Sequence, residues 1–290
     1  MQEILQYTLS GLVTGSIYGL IGVGFVVIYN ATGIINFAQG DFATLGAMLA
    51  ITLTSVVTLP LWLAIAVSVI MVGIIAGCIE RFAVRPASNN PVRGIIITIG
   101  IGVTLQGLIA VIWGTDAFPL RSFSGDTPLH IGGATVPSQA LWVIGITLAV
   151  MVALNLFFNY TYAGKLFRAS SINPFAAKLM GLRINTMSTT SFVISGSLGA
   201  LAGIIVAPIT LTQYNAGLSL GIKGFVACII GGIGNPIGVA FGGLLLGILE
   251  AFSTGFLSSG YKDAIAFFLL LAFLFVRPHG LFGKLSGGGR

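Results

Sequence analysis

The chain has 290 residues, of which 56% are hydrophobic and 7% are charged, against about a quarter charged in an ordinary soluble domain. So few charges cannot clothe a water-facing surface, which excludes a soluble globular protein and makes lipid the solvent for most of the chain. The net charge of +6 comes from basic residues that form no block and carry no interleaved aromatics, so a nucleic-acid-binding face is excluded as well.

A helix needs about 20 apolar residues to cross a ~30 Å hydrocarbon core. Residues 5–29 form the first such run. Gln2 and Glu3 precede it without a basic segment, and the run is long and glycine-rich, so a cleaved signal peptide is not expected. It ends in Gly-Ile-Ile-Asn-Phe-Ala-Gln-Gly-Asp, residues 33–41, where Asp41 is the only charged residue between Glu3 and Glu80. One reading makes Asp41 a helix-end residue at the membrane rim, satisfying free N–H groups and the helix dipole at the start of a second run, 41–60. Another makes it a polar group lining a passage, and a third pairs it with another subunit. Asn36 and Gln39 add side-chain amides that are costly to leave unpaired in lipid.

Runs 61–80 and 94–113 follow, with Arg81, Arg85 and Arg93 between them. Loop 114–138 holds Asp116 and Asp126 against Arg121. Run 139–159 leads to loop 160–187, which carries Lys165, Arg168, Lys178 and Arg183. Within that loop Asn173 suits a helix N-cap, Pro174 the first helical position and Gly181 the position just past the end. The helix of about seven residues between them is too short to stand alone in water. It must dock, with Phe175 and Leu179 on one face, either on its own membrane domain or in a partner's groove.

Run 188–212 comes next, and 264–276 is the last. Arg277, Lys284 and Arg290 end the chain, so ten of the 13 basic residues fall on one side if the spans alternate. The positive-inside rule makes that side cytoplasmic and the N-terminus external. Parity then requires 222–258 to leave from outside and return there. Its centre, Gly-Gly-Ile-Gly-Asn-Pro (residues 231–236), is a turn signal, which predicts two short helices meeting at Gly231, Gly232 and Asn235. Paired interruptions in the two halves of a membrane chain point to a transport pathway. The expectation is an all-α, polytopic bundle forming one membrane domain over 1–290, with about nine segments (8–10), discontinuous helices and a short cytoplasmic helix.

Glu250 stands alone between Lys223 and Lys262; it either faces a cavity or pairs with one of those lysines. Gly234, Gly238 and Gly242, with Gly243 and Gly247, recur at a spacing that lets helices approach closely. Cys78 and Cys228 read as small buried hydrophobes. His130 and His279 lie in predicted loops, and no metal cluster or nucleophile–base set is seen. The chain has no G-x-x-x-x-G-K-[ST] phosphate loop, so ATP hydrolysis by that route is not its own.

These residues carry a resemblance. In order and spacing, the stretches at 33–41, Glu-Arg-Phe-Ala-Val-Arg-Pro (80–86), Gly-Lys-Leu-Phe-Arg-Ala (164–169), 223–238, 242–251, Tyr-Lys-Asp (261–263) and 277–283 resemble the integral-membrane permeases of branched-chain amino-acid ABC importers, along nearly the whole chain. The short helix resembles their coupling motif, Glu-Ala-Ala, three residues, then Gly. Ala176, Ala177 and Gly181 fit it, and Phe175 stands in place of the acid, leaving docking through Phe175, Ala177 and Leu179. The resemblance implies a bacterial inner-membrane transport subunit that is not itself an enzyme and binds no cofactor. Its implied partners are a second related permease, two cytoplasmic ATPases using ATP and Mg, and a periplasmic substrate-binding protein. The paired interruptions and the isolated acids make Asn36, Gln39, Asp41, Gly231, Gly232, Asn235 and Glu250 the candidates for a translocation path. The alternatives are a permease of the same family for urea, amides or aromatic acids, and a self-sufficient secondary transporter or channel using Asp41 and Glu250.

Overall fold

A computed structural model describes residues 2–87, 90–125, 127–256, 259–277 and 279–283; Asp126, Lys284 and Arg290 lie outside them. Eleven α-helices are described: α1 Gln2–Thr32, α2 Gln39–Ser55, α3 Leu61–Ile79, α4 Pro91–Trp113, α5 Gln139–Tyr160, α6 Tyr162–Ile172, α7 Pro174–Leu179, α8 Ile184–Val206, α9 Ala216–Gly231, α10 Pro236–Phe256 and α11 Lys262–Val276. Six of them (α1, α3, α4, α5, α8 and α10) are long and apolar enough to cross a membrane. α9 is a shorter apolar helix.

Two halves of opposite orientation emerge from the packing. α1 lies on α10 and α8 on α3; α2 lies on α8 and α9 on α1; α2 and α9 meet each other. Exchanging α1–α4 with α8–α11 preserves each of these pairings. Every half contains a long helix, a non-helical return and a shorter helix. In the first half Gly33 (φ +70°) ends α1, and residues 34–38 run back into the bundle. Phe37 N donates to the hydroxyl of Thr98 of α4 (3.2 Å), and Ala38 N donates to Asn36 Oδ1 (3.2 Å). In the second half Pro208 follows the end of α8, and residues 207–215 turn back, with Thr212 and Phe118 exchanging backbone hydrogen bonds of 3.0 and 2.9 Å. Irregular backbone inside a membrane protein requires such internal partners.

Glycines set the close contact of α1 with α10. Gly11, Gly15 and Gly19 of α1 face Gly247, Gly243 and Ala240 of α10, and a Cβ on Gly247 would lie 2.3 Å from Gly15 N. The two backbones touch, as small residues at four-residue spacing allow.

Several expectations need correction. Run 188–212 is helical only to Val206, because Pro208 cannot continue a helix, and α8 begins earlier, at Ile184, with a polar first turn. Loop 114–138 contains an antiparallel hairpin, β1 Pro128–Ile131 with β2 Ala134–Pro137, and His130 lies in its first strand. Loop 160–187 holds a second helix, α6. Thr161 caps it by accepting from Gly164 N (3.0 Å), and Phe167 packs edge-on against Phe157 and Phe158 of α5. Cys78 is exposed on the lipid-facing side, whereas Cys228 is buried.

Gln6 of α1 pairs with Thr135 of the hairpin through two hydrogen bonds of 2.8 Å, so the start of α1 shares a face with loop 114–138. The opposite face carries α6, α7 and the ends of α3, α4, α8 and α11. Eight described basic residues lie there: Arg81, Arg85, Arg93, Lys165, Arg168, Lys178, Arg183 and Arg277.

Candidate translocation and coupling sites

Asn36, Gln39 and Asp41 come together at the centre of the bundle. Gln39 is fully buried; it donates to Ser195 O (3.0 Å) and accepts from the Ser195 hydroxyl (2.6 Å), which also reaches Gly24 O (2.8 Å). Asp41 is 3% exposed and accepts from Gln106 Nε2 at 2.9 Å. A Cβ on Gly102 would lie 2.6 Å from one carboxylate oxygen, and one on Gly217 would lie 2.7 Å from the other. Gly102 and Ser195 are each the central residue of a 23-residue helix. The first turn of α2 therefore sits at the mid-depth of α4 and α8. Of the readings of Asp41, the helix-end one holds in part: Asp41 is in the first turn of α2, but the return of residues 34–38 lifts that turn from the rim into the interior.

Gly217 lies in the first turn of α9, so the N-termini of α2 and α9 meet at the carboxylate. Each terminus carries unsatisfied N–H groups and about half a positive charge. One buried anion between two such ends, with a glycine on either side to admit it, accounts for a lone acid in an otherwise uncharged stretch. Gln106 is the partner that sequence reading missed; it sits in an apolar run with no spacing cue linking it to Asp41. Asn36 Oδ1 accepts from Ala38 N (3.2 Å) and turns the chain into α2.

The other path candidates lie elsewhere. Asn235 caps α10, its Oδ1 accepting from Ile237 N (3.1 Å) and Gly238 N (3.2 Å), and Pro236 takes the first helical position. Gly231 is a contact residue, since a Cβ there would meet Gly238 O at 2.3 Å; Gly232 (φ +103°) lies against His279 and Gly283. Glu250, 1% exposed, bonds Lys223 at 2.8 Å and Lys262 at 3.2 Å, and Lys223 also reaches Asp263 at 2.9 Å. This network ties α9, α10 and α11 together, and Glu250 thus has the lysine partners weighed for it.

The basic face has its own network. Glu80, 1% exposed, sits in a π-helical turn at the end of α3. It accepts from Arg85 (2.8 Å), Ser188 (2.7 Å) and Thr189 (2.7 Å). These bonds fasten α3 to the second turn of α8, shortly after α7. In α7 Asn173 accepts from Ala176 N at 3.0 Å, and Gly181 has φ +83°. Phe175 (74%), Leu179 (73%) and Met180 (85%) are exposed, whereas Ala177 is 6% exposed. Ala176 is exposed too. Ala177 thus packs inward and supports the helix from beneath, a correction to the expected docking face.

Residues 7–274 match the family described as the branched-chain amino acid transport system permease component. The chain belongs to that family. It is 31% identical to the high-affinity branched-chain amino acid transport system permease protein LivH of Salmonella typhimurium, over 97% of this chain and 96% of that one. It is 33% identical to BraD of Pseudomonas aeruginosa, a protein of the same description, with the same coverage. The ribose import permease protein RbsC of Haemophilus influenzae is 29% identical over 81% of this chain and 73% of its own length. Among solved structures, PsaBC from Streptococcus pneumoniae in complex with Fab has a chain of similar fold (TM-score 0.53, 14% identity), covering 96% of this chain and 93% of that one. As a family member this chain is a multi-pass transport permease.

Proposed function

We propose that this permease is the transmembrane subunit of an ATP-driven importer for branched-chain or related amino acids. Its basic face and C-terminus are cytoplasmic, and α7 seats in a groove of a separate ATPase. The observation that carries this reading is α7 itself. A six-residue helix, rigidly capped, holds Phe175, Leu179 and Met180 out from a basic face, where an apolar patch needs a partner. Closure of two ATPases would press α7 toward α8. The Glu80 network would pass that displacement to α3, and the central joint of α2 and α9 lets the two halves tilt. A second homologous permease and a periplasmic substrate-binding protein complete the assembly, and ATP and Mg belong to the ATPase subunits.

Reconstitution tests this. The chain is purified from mild detergent, its co-purifying proteins are identified, and ATP-dependent uptake of labelled leucine into liposomes is measured with the binding protein present. Two phosphate-loop ATPases and ATP-dependent uptake support the proposal. A chain that purifies alone and moves solute without ATP refutes it. The similarity to a ribose permease favours one second reading, a polar substrate of another class, which uptake of labelled ribose would reveal.

A further inference from the structure

Two pockets on the lipid-facing surface join into one groove. The first, about 550 Å³, lies between α1, α5 and α10 and is walled by apolar side chains that include Leu148, Val152 and Phe241, all more than half exposed. The second, about 290 Å³, continues it toward the basic face, sharing Met151, Asn155 and Ile237. There the lining turns polar: Asn30, Asn155, Asn159, Arg168 and Ser171.

Along α5 the apolar part runs from Ile144 to Leu156. Twelve residues rise about 18 Å, close to the ~15 Å hydrocarbon depth of one leaflet. Of the six acidic residues among the described ones, none lines either pocket. Arg168 donates to the side-chain oxygen of Asn159 and has no carboxylate partner among the described residues. An apolar slot of leaflet depth that ends in a cation and neutral amides complements one class of molecule in contact with it.

We propose that this groove binds an anionic phospholipid of the leaflet on the basic face. One acyl chain lies in the slot, and the phosphate accepts hydrogen bonds from Arg168, with Asn30 and Ser171 within the same pocket. Basic pockets between membrane helices hold anionic headgroups by this charge pairing. A free phosphate compound would fill the polar end but leave the slot empty, which is why a lipid is the occupant. Since α6 runs into α7 through Asn173, the bound headgroup steadies the segment that presents Phe175 and Leu179.

The test uses the purified full-length permease, with the subunits that accompany it. It is exchanged into phosphatidylcholine vesicles with or without phosphatidylglycerol, re-extracted, and its retained lipid measured by native mass spectrometry. Phosphatidylglycerol should be retained in preference to phosphatidylcholine. Arg168→Gln should lower retention about tenfold, the loss of one charge-assisted hydrogen bond. Arg168→Lys should lower it less, and Leu148→Trp, which narrows the slot without touching charge, should lower it as well. Equal retention of the two lipids would overturn the proposal. So would the same loss from Lys165→Gln, a nearby α6 lysine outside the pocket, or a cross-link from Leu148→Cys to a second copy occupying the slot. The readout is lipid and not transport, so it is independent of the importer reading.

Discussion

Gly247→Ala isolates the contact on which the central helix pair depends. The new Cβ would lie 2.3 Å from Gly15 N and 2.4 Å from Gly15 Cα, where ordinary contact begins at 3.4 Å. Backbone cannot rotate away as a side chain can, so α1 and α10 must separate by about 1 Å along a seam that includes Gly11, Gly15, Gly19 and Gly243. Overpacking of this kind costs about 1–3 kcal/mol. Helix propensity pulls the other way, since alanine is favoured over glycine by about 1 kcal/mol, and the expected net loss is up to about 2 kcal/mol. Gly100→Ala on α4 is the control, because a Cβ there meets nothing within 4 Å. Thermal unfolding in detergent, followed by tryptophan fluorescence, should show Gly247→Ala unfolding several degrees below the wild type and Gly100→Ala at or above it. Equal midpoints for the two variants would refute the claim that backbone contact makes glycine necessary at 247.

Three other outcomes follow from the site geometry. Replacing Lys223 or Glu250 singly by Met or Gln leaves the other with one ionic partner, Lys262 for Glu250 and Asp263 for Lys223, so each should cost less than the about 3–5 kcal/mol of an unpaired buried charge; the double variant should be less damaging than the two losses added, as a double-mutant cycle on unfolding midpoints can measure. Asp41→Asn keeps an acceptor for Gln106 but removes the anion from two helix ends, so stability should fall by about 1–2 kcal/mol; unchanged midpoints together with altered uptake per assembled complex would instead make Asp41 a path residue. Phe175→Ser should weaken ATPase association by about 2 kcal/mol with the permease's own unfolding unchanged, whereas Ala177→Asp should lower the permease midpoint first, because residue 177 faces inward; reversed responses would reassign the two residues.

Spans such as 61–80, 94–113 and 139–159 were legible because an apolar run long enough to cross lipid has few other uses. The turn at 231–236 was legible from Gly and Pro, and the α7 boundaries from Asn173, Pro174 and Gly181. α6 was missed because its mixed composition, Tyr-Ala-Gly-Lys-Leu-Phe-Arg, carries no membrane signal and its stability comes from Phe167 packing on α5. The start of α8, residues 184–187, was missed for a related reason: Ile-Asn-Thr-Met is no apolar run, and the bond from Arg85 to Asn185 O that helps hold it spans 100 residues.

By itself the sequence determined the solvent of this protein, the approximate number of its helices and the face on which its positive charge collects. Those properties follow from local composition and from the cost of placing charge in hydrocarbon. Only the tertiary structure decided depth and partnership. Asp41 looks like a rim residue in one dimension; it becomes the anion at the centre of the bundle because residues 34–38 fold back and because α9, some 175 positions later, brings a second helix end to meet it. Ala177 and Phe175 are two residues apart in one motif, yet helical rotation turns one inward and the other out. Which polar groups meet in a membrane is set by how helices return and pack, and no local pattern encodes that pairing.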